Sequence, residues 1–322
     1  MNTKHNLLLL GGSGFIGTQL AFSLANRGWI VTIPSRRPHR HRNLLVHPNI
    51  RLCQANIMDQ GELWNLFQGQ QVVINLVGIL HEKRKGDFRR IHVDFVKTIV
   101  ESCSQSGIKR LLHLSALGAD QATGSSLYLR SKGEGENLLH TFGQRGLQVT
   151  SFQPSVVFGR NDDFINRFAS ILKIWVGFFP LACADSKLAP VYVGDLVSRV
   201  VKAIDDPESY SKRYSVCGPD VFTLAEILQL IIDNLKRPCR IMPLGKTLSR
   251  LQAMILQNLP GKLFTMDNYR SLQTDNVCKD GVPGETSLHQ YLHGLNDLFG
   301  NKASYDRFRK QYVESETPGV DR

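Results

Sequence analysis

The chain has 322 residues, 42% hydrophobic and 21% charged, enough to bury a large core as two domains or as one α/β unit with an appended lobe. Its net charge of +11 invites polyanion binding. However, the basic clusters, Arg36, Arg37, Arg40 and Arg42 and then Lys83, Arg84, Lys85, Arg89 and Arg90, have only Phe88 among them, not the aromatic interleaving of a nucleic-acid groove, so no nucleic acid is expected. The six cysteines form no C-x-x-C pair, which argues against a zinc cluster or a disulfide framework and for a reducing, cytoplasmic compartment.

In chain order, the apolar run Leu7–Leu10 reads as a buried strand and leads into Gly11-Gly12-Ser13-Gly14-Phe15-Ile16-Gly17, after which Thr18–Leu24 begins a helix. Those leucines run straight into the glycine loop, so they are not a secretory h-region, and the mature chain is expected to start near Met1. Further strands are expected near Ile30–Ile33, Ile50–Cys53, Val72–Leu76, Arg110–Leu114, Gln148–Phe152 and Tyr214–Val216, with helices over Ile91–Ser104 and Tyr128–Gln144. Asp59-Gln60-Gly61-Glu62 has capping-box spacing. Strand–helix alternation of this kind gives an α/β fold with a doubly wound parallel sheet of Rossmann type. The longest apolar stretch, Ile171–Ala184, is broken by Lys173, Gly177 and Pro180, and no transmembrane helix is expected.

Gly11, Gly14 and Gly17 follow G-x-x-G-x-x-G spacing between strand and helix, where a dinucleotide pyrophosphate meets backbone N–H groups and the positive end of a helix dipole. Ser13, Phe15 and Ile16 complete that contact. After the second strand, Ile33-Pro34-Ser35-Arg36-Arg37 offers no carboxylate for ribose hydroxyls. Arg36 and Arg37 can clamp a 2′-phosphate instead, so NADP(H) is expected over NAD(H). Asn56 and Ile57 are expected at the adenine, and Leu76, Val77 and Gly78 at the nicotinamide ribose.

Ser115 closes the fifth strand, and Tyr128-Leu129-Arg130-Ser131-Lys132 places a phenol and an ammonium one helical turn apart on the same face. Ser115, Tyr128 and Lys132 are therefore the candidate catalytic residues, with Lys132 expected to favour the phenolate and Ser115 to bond a substrate oxygen. His289 and His293 have metal-ligand spacing without a third ligand, and no metal is expected. Leu244–Phe264 is an amphipathic basic segment that reads as a wall of the substrate lobe rather than a membrane-surface helix.

With these residues in place the chain resembles an extended, atypical short-chain dehydrogenase/reductase. It is most similar to the family of the NADPH-binding accessory subunit of respiratory complex I and its bacterial relatives. The resemblance is carried by Gly11–Gly17, YLRSKGEGE (Tyr128–Glu136), PSVVFGRNDDFINRFA (Pro154–Ala169), APVYVGDL (Ala189–Leu196) and Gly218-Pro219. It implies bound NADP(H), with Pro154 and Val156 joining the cofactor contacts. The implied organisation is a Rossmann domain over 1–235, into which 159–190 inserts toward a smaller C-terminal substrate lobe at 236–300, and a polar tail at 301–322. Ala55-Asn56 departs from the Gly-Asp of the wider family. Three functions follow as expectations: an NADP-dependent oxidoreductase acting on a carbonyl or quinone, a non-catalytic NADPH-stabilised accessory or assembly protein, and a nucleotide-sugar epimerase or dehydratase. Peripheral association with a membrane respiratory or quinone-synthesis complex, at the inner membrane face, is the expected partnership.

Overall fold

The structure is a computed structural model that describes residues 5–143, 146–259, 264–279, 281 and 283–294. The first half runs β1 (Asn6–Leu10), α1 (Phe15–Asn26), β2 (Ile30–Ser35), β3 (Ile50–Gln54), α2 (Gln60–Phe67), β4 (Val72–Asn75), a single turn α3 (Asp87–Arg89), α4 (Phe95–Gln105), β5 (Arg110–Leu114), α5 (Leu127–Gly143) and β6 (Gln148–Pro154). There follow β7 (Val157–Phe158), α6 (Ile165–Ile174), β8 (Gly177–Leu181), β9 (Lys187–Leu188), β10 (Val191–Tyr192), α7 (Val193–Lys202), β11 (Arg213–Val216), β12 (Phe222–Thr223), α8 (Leu224–Leu235), β13 (Cys239–Pro243), α9 (Lys246–Leu256), α10 (Met266–Ser271) and α11 (Leu288–Gly294).

Seven strands form one sheet in the order β11-β6-β5-β4-β1-β2-β3, and every pair in it is parallel. Each strand expected from the sequence is present within one or two residues. Alternation along β1 divides its leucines between the two faces. Leu7 and Leu9 join α1 and α7 in one core, whereas Leu8 and Leu10 join α2, α4 and α5 in the other. All four are fully buried, each contributing on the order of 1.5–3 kcal/mol. The capping box at α2 forms by half. Asp59 accepts from the Glu62 N–H at 2.9 Å, but the Glu62 carboxylate reaches past Asp59 to the Asn56 N–H at 2.7 Å.

A third core joins Phe158, Ile165 and Leu172 to Leu188, Leu228 and Ile231, and α11 adds Leu288 and Leu292. Asp162 anchors the distinctive PSVVFGRNDDFINRF block. It is buried and accepts from the N–H groups of Gly159 at 3.2 Å and Ile165 at 2.5 Å, so that block is shaped by the start of α6.

Two expectations are corrected. Cys217 and Cys278 form a disulfide across 61 residues, with Cα atoms 6.0 Å apart, so the cysteines are not all thiols. Their spacing hides the pairing because the bond joins the end of β11 to a late strap. The apolar residues of the Leu244–Phe264 segment do not wall the lobe: Leu248, Leu251, Met254, Ile255 and Leu259 are all exposed. Residues 260–263 of that segment and the tail from 301 lie outside the described residues.

Candidate active site

The glycine loop connects β1 to α1 with Gly11 at φ +78° and Gly17 pressed into the turn, where a Cβ would lie 2.5 Å from the Gly11 carbonyl oxygen. Gly14 is different. It is exposed, its φ is −79°, and a Cβ there would meet nothing closer than the Gly11 oxygen at 3.4 Å. Neither backbone nor packing demands glycine at 14, so its missing side chain leaves room above the N-terminus of α1, which has no side-chain cap. Ser13, Phe15 and Ile16 are half-buried beside it. These features fit a dinucleotide pyrophosphate.

Leu76 and Val77 lie against Gly11, whose Cβ would be 3.1 Å from the Leu76 carbonyl carbon. A Cβ at Gly78 would stand 3.6 Å from His92 Nε2 and 3.8 Å from Lys132 Nζ, which places the end of β4 beside the lysine. Arg36 and Arg37 are exposed directly after β2 and form no salt bridge among the described residues, with the Arg37 N–H bonded to Ser35 Oγ at 3.2 Å. Asn56 is exposed and its amide oxygen accepts from the Met58 N–H at 3.3 Å, while Ile57 packs on the second core.

Lys132 is buried, and its Nζ donates to the Leu114 carbonyl at 2.5 Å. That bond sets the ammonium against the peptide immediately before Ser115. Ser115 itself is held by its N–H on the Phe152 carbonyl at 2.7 Å, and the next turn is fixed by the Leu117 N–H on the Pro154 carbonyl at 3.0 Å. Val156, two residues on, packs against the core of the lobe. The Ser115 hydroxyl is buried without a hydrogen-bond partner, a state that costs about 1–3 kcal/mol until a ligand supplies one.

Tyr128 is half-buried, with the Phe88 ring 6.0 Å and the His92 ring 5.7 Å from its own. Burial pushes its phenol up to about 12, and burial pulls Lys132 down to about 8 against the raising effect of Glu136. Loss of hydration governs both shifts, and at neutral pH Tyr128 is a neutral proton donor.

Several residues around this pair escaped the sequence reading. His92 Nε2 accepts from the Ile79 N–H at 3.1 Å, so its proton sits on Nδ1 and is donated to Ser131 Oγ at 2.8 Å; that hydroxyl in turn donates to the Tyr128 carbonyl at 2.8 Å. Gly135 makes this approach feasible, since a Cβ there would fall 1.9 Å from the His92 carbonyl oxygen. Glu136, fully buried, accepts from Gln153 Nε2 at 2.9 Å and faces Arg213 Nε at 3.5 Å. The four-residue spacing of Tyr128, Lys132, Glu136 and His140 is the signal that marks this stripe on α5. Asn276 holds the strap down, its side-chain oxygen accepting from Ser155 Oγ at 2.6 Å and its amide donating to the Leu117 carbonyl at 3.4 Å.

The model of the NAD dependent epimerase/dehydratase family matches residues 7–217. The chain is 28% identical over 295 residues to the NADH dehydrogenase [ubiquinone] 1 alpha subcomplex subunit 9, mitochondrial, of Mus musculus, covering 87% of this chain and 74% of the relative. Among solved structures it is similar to the epimerase Mth375 of Methanothermobacter thermautotrophicus, with a TM-score of 0.71 at 16% identity over 95% of each chain. The UDP-glucose 4-epimerase of Thermus thermophilus, solved in complex with NAD, superposes with a TM-score of 0.62 at 18% identity over 83% of this chain and 99% of the other. At those identities the structures share the fold.

Proposed function

This chain belongs to the NAD dependent epimerase/dehydratase family, and on that premise we propose that it binds NADP(H) and keeps an oxidoreductase site at Ser115, Tyr128 and Lys132. The buried, unpartnered Ser115 hydroxyl carries the reading, because it stands one residue from the carbonyl that holds Lys132 and a substrate oxygen there would satisfy it. The loop Gly11–Gly17 would hold the pyrophosphate, Arg36 and Arg37 the 2′-phosphate, Asn56 and Ile57 the adenine, and Leu76, Val77, Gly78, Lys132, Pro154 and Val156 the nicotinamide half. Bound there, the dinucleotide supplies hydride exchange at its nicotinamide. Ser115 orients a substrate oxygen through its hydroxyl, and Tyr128, neutral at pH 7, donates its phenolic proton to that oxygen. Lys132 then offsets the charge left on the phenolate. A carbonyl or a quinone is the substrate class this proton traffic suits, with a nucleotide-sugar as the alternative.

The Mus musculus relative is by name a subunit of a respiratory dehydrogenase, and this supports a peripheral position on a membrane respiratory or quinone-synthesis complex. Among the described residues no helix is long and apolar enough to cross a membrane. A second reading, an accessory protein stabilised by NADPH without turnover, is favoured by the same relative, which is named as a subunit of a larger complex.

Tyr128→Phe separates the two readings. Under the first, turnover of carbonyl or quinone substrates falls by roughly 10²–10⁴ while NADPH affinity holds. Under the second, no substrate oxidises bound NADPH and the variant changes neither NADPH-dependent melting nor copurification with respiratory subunits.

A further inference from the structure

The second lobe carries an apolar face that its own core does not use. Helix α9 turns its small residues Ser249 and Ala253 inward. Gln252 ties it to the lobe, its side chain accepting from the Ala182 N–H at 3.1 Å and donating to the Pro180 carbonyl at 2.9 Å. The large residues point the other way. Leu248, Leu251 and Ile255 lie at three- and four-residue spacing on one outward face, and each is at least half exposed, at 55%, 50% and 56%. This inverts the pattern of a helix packed on a globular core.

The strand pair next to α9 in sequence repeats the inversion. Its parallel register sets Phe178 beside Arg240 and Pro180 beside Met242. Phe178 and Met242 are exposed, whereas Leu181 and Cys239 are buried in the lobe core. Just before β8, Ile174 and Val176 are 82% and 70% exposed, and Trp175 between them donates its indole N–H to the Phe178 carbonyl at 2.9 Å.

Charge identifies the occupant. Residues 164–184 and 234–266, which supply all of these side chains, contain eight Lys and Arg and no Asp or Glu. Exposed Leu, Ile and Phe with a Trp, on segments whose only charged residues are cations, match an anionic bilayer, whose acyl boundary takes the apolar groups and whose headgroups take the charges. We propose that α9 and the adjoining β8–β13 edge form the face by which this protein lies on an anionic lipid surface. This deepens the peripheral placement proposed above and rests on it for location alone.

The test is cosedimentation of the full chain with phosphatidylcholine vesicles, with and without phosphatidylglycerol. The chain is expected to bind the anionic vesicles, to bind neutral ones far more weakly, and to lose binding as salt rises. Leu251→Glu combined with Ile255→Glu should weaken binding by on the order of tenfold or more. Phe178→Glu, on a separate element, should weaken it too, and the exposed Leu45→Glu elsewhere should not. All of these positions are exposed, and unchanged melting temperatures confirm that the variants fold. Absence of binding to anionic vesicles, or equal binding by the double variant, overturns the proposal. So does a dimer in sedimentation velocity that the double variant dissociates while the wild type ignores lipid. If respiratory subunits copurify but lipid is ignored, the functional reading stands and this one falls; lipid binding without NADP(H) binding reverses that result.

Discussion

Asp267 of the C-terminal lobe caps the helix that carries Tyr128: its carboxylate accepts from the Leu127 N–H at 2.8 Å and from the Tyr128 N–H at 3.1 Å. Ser126 Oγ accepts from the Leu129 N–H at 3.1 Å, so three N-terminal amides of α5 are satisfied by two side chains 141 residues apart in number. Asp267→Ala should therefore lower stability by about 0.5–2 kcal/mol, and Asp267→Asn by less, because an amide oxygen can still accept. Urea unfolding measures both. An alanine variant as stable as the wild type would show that the lobe does not hold α5.

Nucleotide preference should follow Arg36 and Arg37. NADPH is expected to bind more tightly than NADH, and Arg36→Ala is expected to cost on the order of 1.5–3 kcal/mol for NADPH and little for NADH. Calorimetric titration of both nucleotides decides it, and equal affinities would remove the guanidinium clamp.

The two loop glycines should respond in opposite ways. A Cβ at Gly17 would collide with the Gly11 carbonyl oxygen, whereas one at Gly14 has room. Gly14→Ala should keep the melting temperature of the nucleotide-free protein and weaken nucleotide binding, while Gly17→Ala should lower the melting temperature itself. Thermal scans with and without NADPH report both quantities, and a Gly14→Ala variant that binds normally would mean that no phosphate approaches that backbone.

Ser115→Ala should leave the nucleotide-free protein as stable as the wild type or more so, since the hydroxyl it removes is buried and unpartnered. The same change should reduce turnover of a true substrate. A clear loss of stability without ligand would reveal a structural partner for Ser115 and undercut its assignment to substrate.

Stability should depend on pH in two windows of known sign. Burial, with a smaller push from Lys132, holds His92 down at about 3, and burial, with a smaller push from Arg213, holds His140 at about 4. Unfolded histidine takes up its proton near 6.5, so the unfolded state binds more protons below that pH and stability falls as pH drops from about 6.5 toward 4. For Lys132 the folded value of about 8 lies below the ordinary 10.5, so its burial costs most at pH below 8 and stability recovers as pH rises from 8 to 10.5. Urea midpoints across both windows test this. His92→Gln should flatten the acid slope and Lys132→Met the alkaline rise; an unchanged acid slope in His92→Gln would show that the histidine is not held neutral.

The sheet, the glycine turn and the phenol–ammonium step along α5 are legible in the chain alone. Each is local: an apolar run long enough for a buried strand, glycines within seven residues, and a four-residue step that any α-helix turns into one face. The i,i+4 step also reaches Glu136 and His140, but it does not say whether that stripe faces water or, as found, Gln153, Ser151 and Arg213 across the sheet. Features that need distant segments to meet emerge only when the chain is folded. The Cys217–Cys278 bond, the Asp267 cap and the Asn276 strap join residues whose spacing carries no periodic signal. Burial without a partner for Ser115 follows from how completely neighbouring layers exclude water. The amphipathic pattern of 244–264 was legible too, but which side met the core was not: the lobe took Ser249 and Ala253 because small side chains let the helix approach closely, and that left the leucines outside.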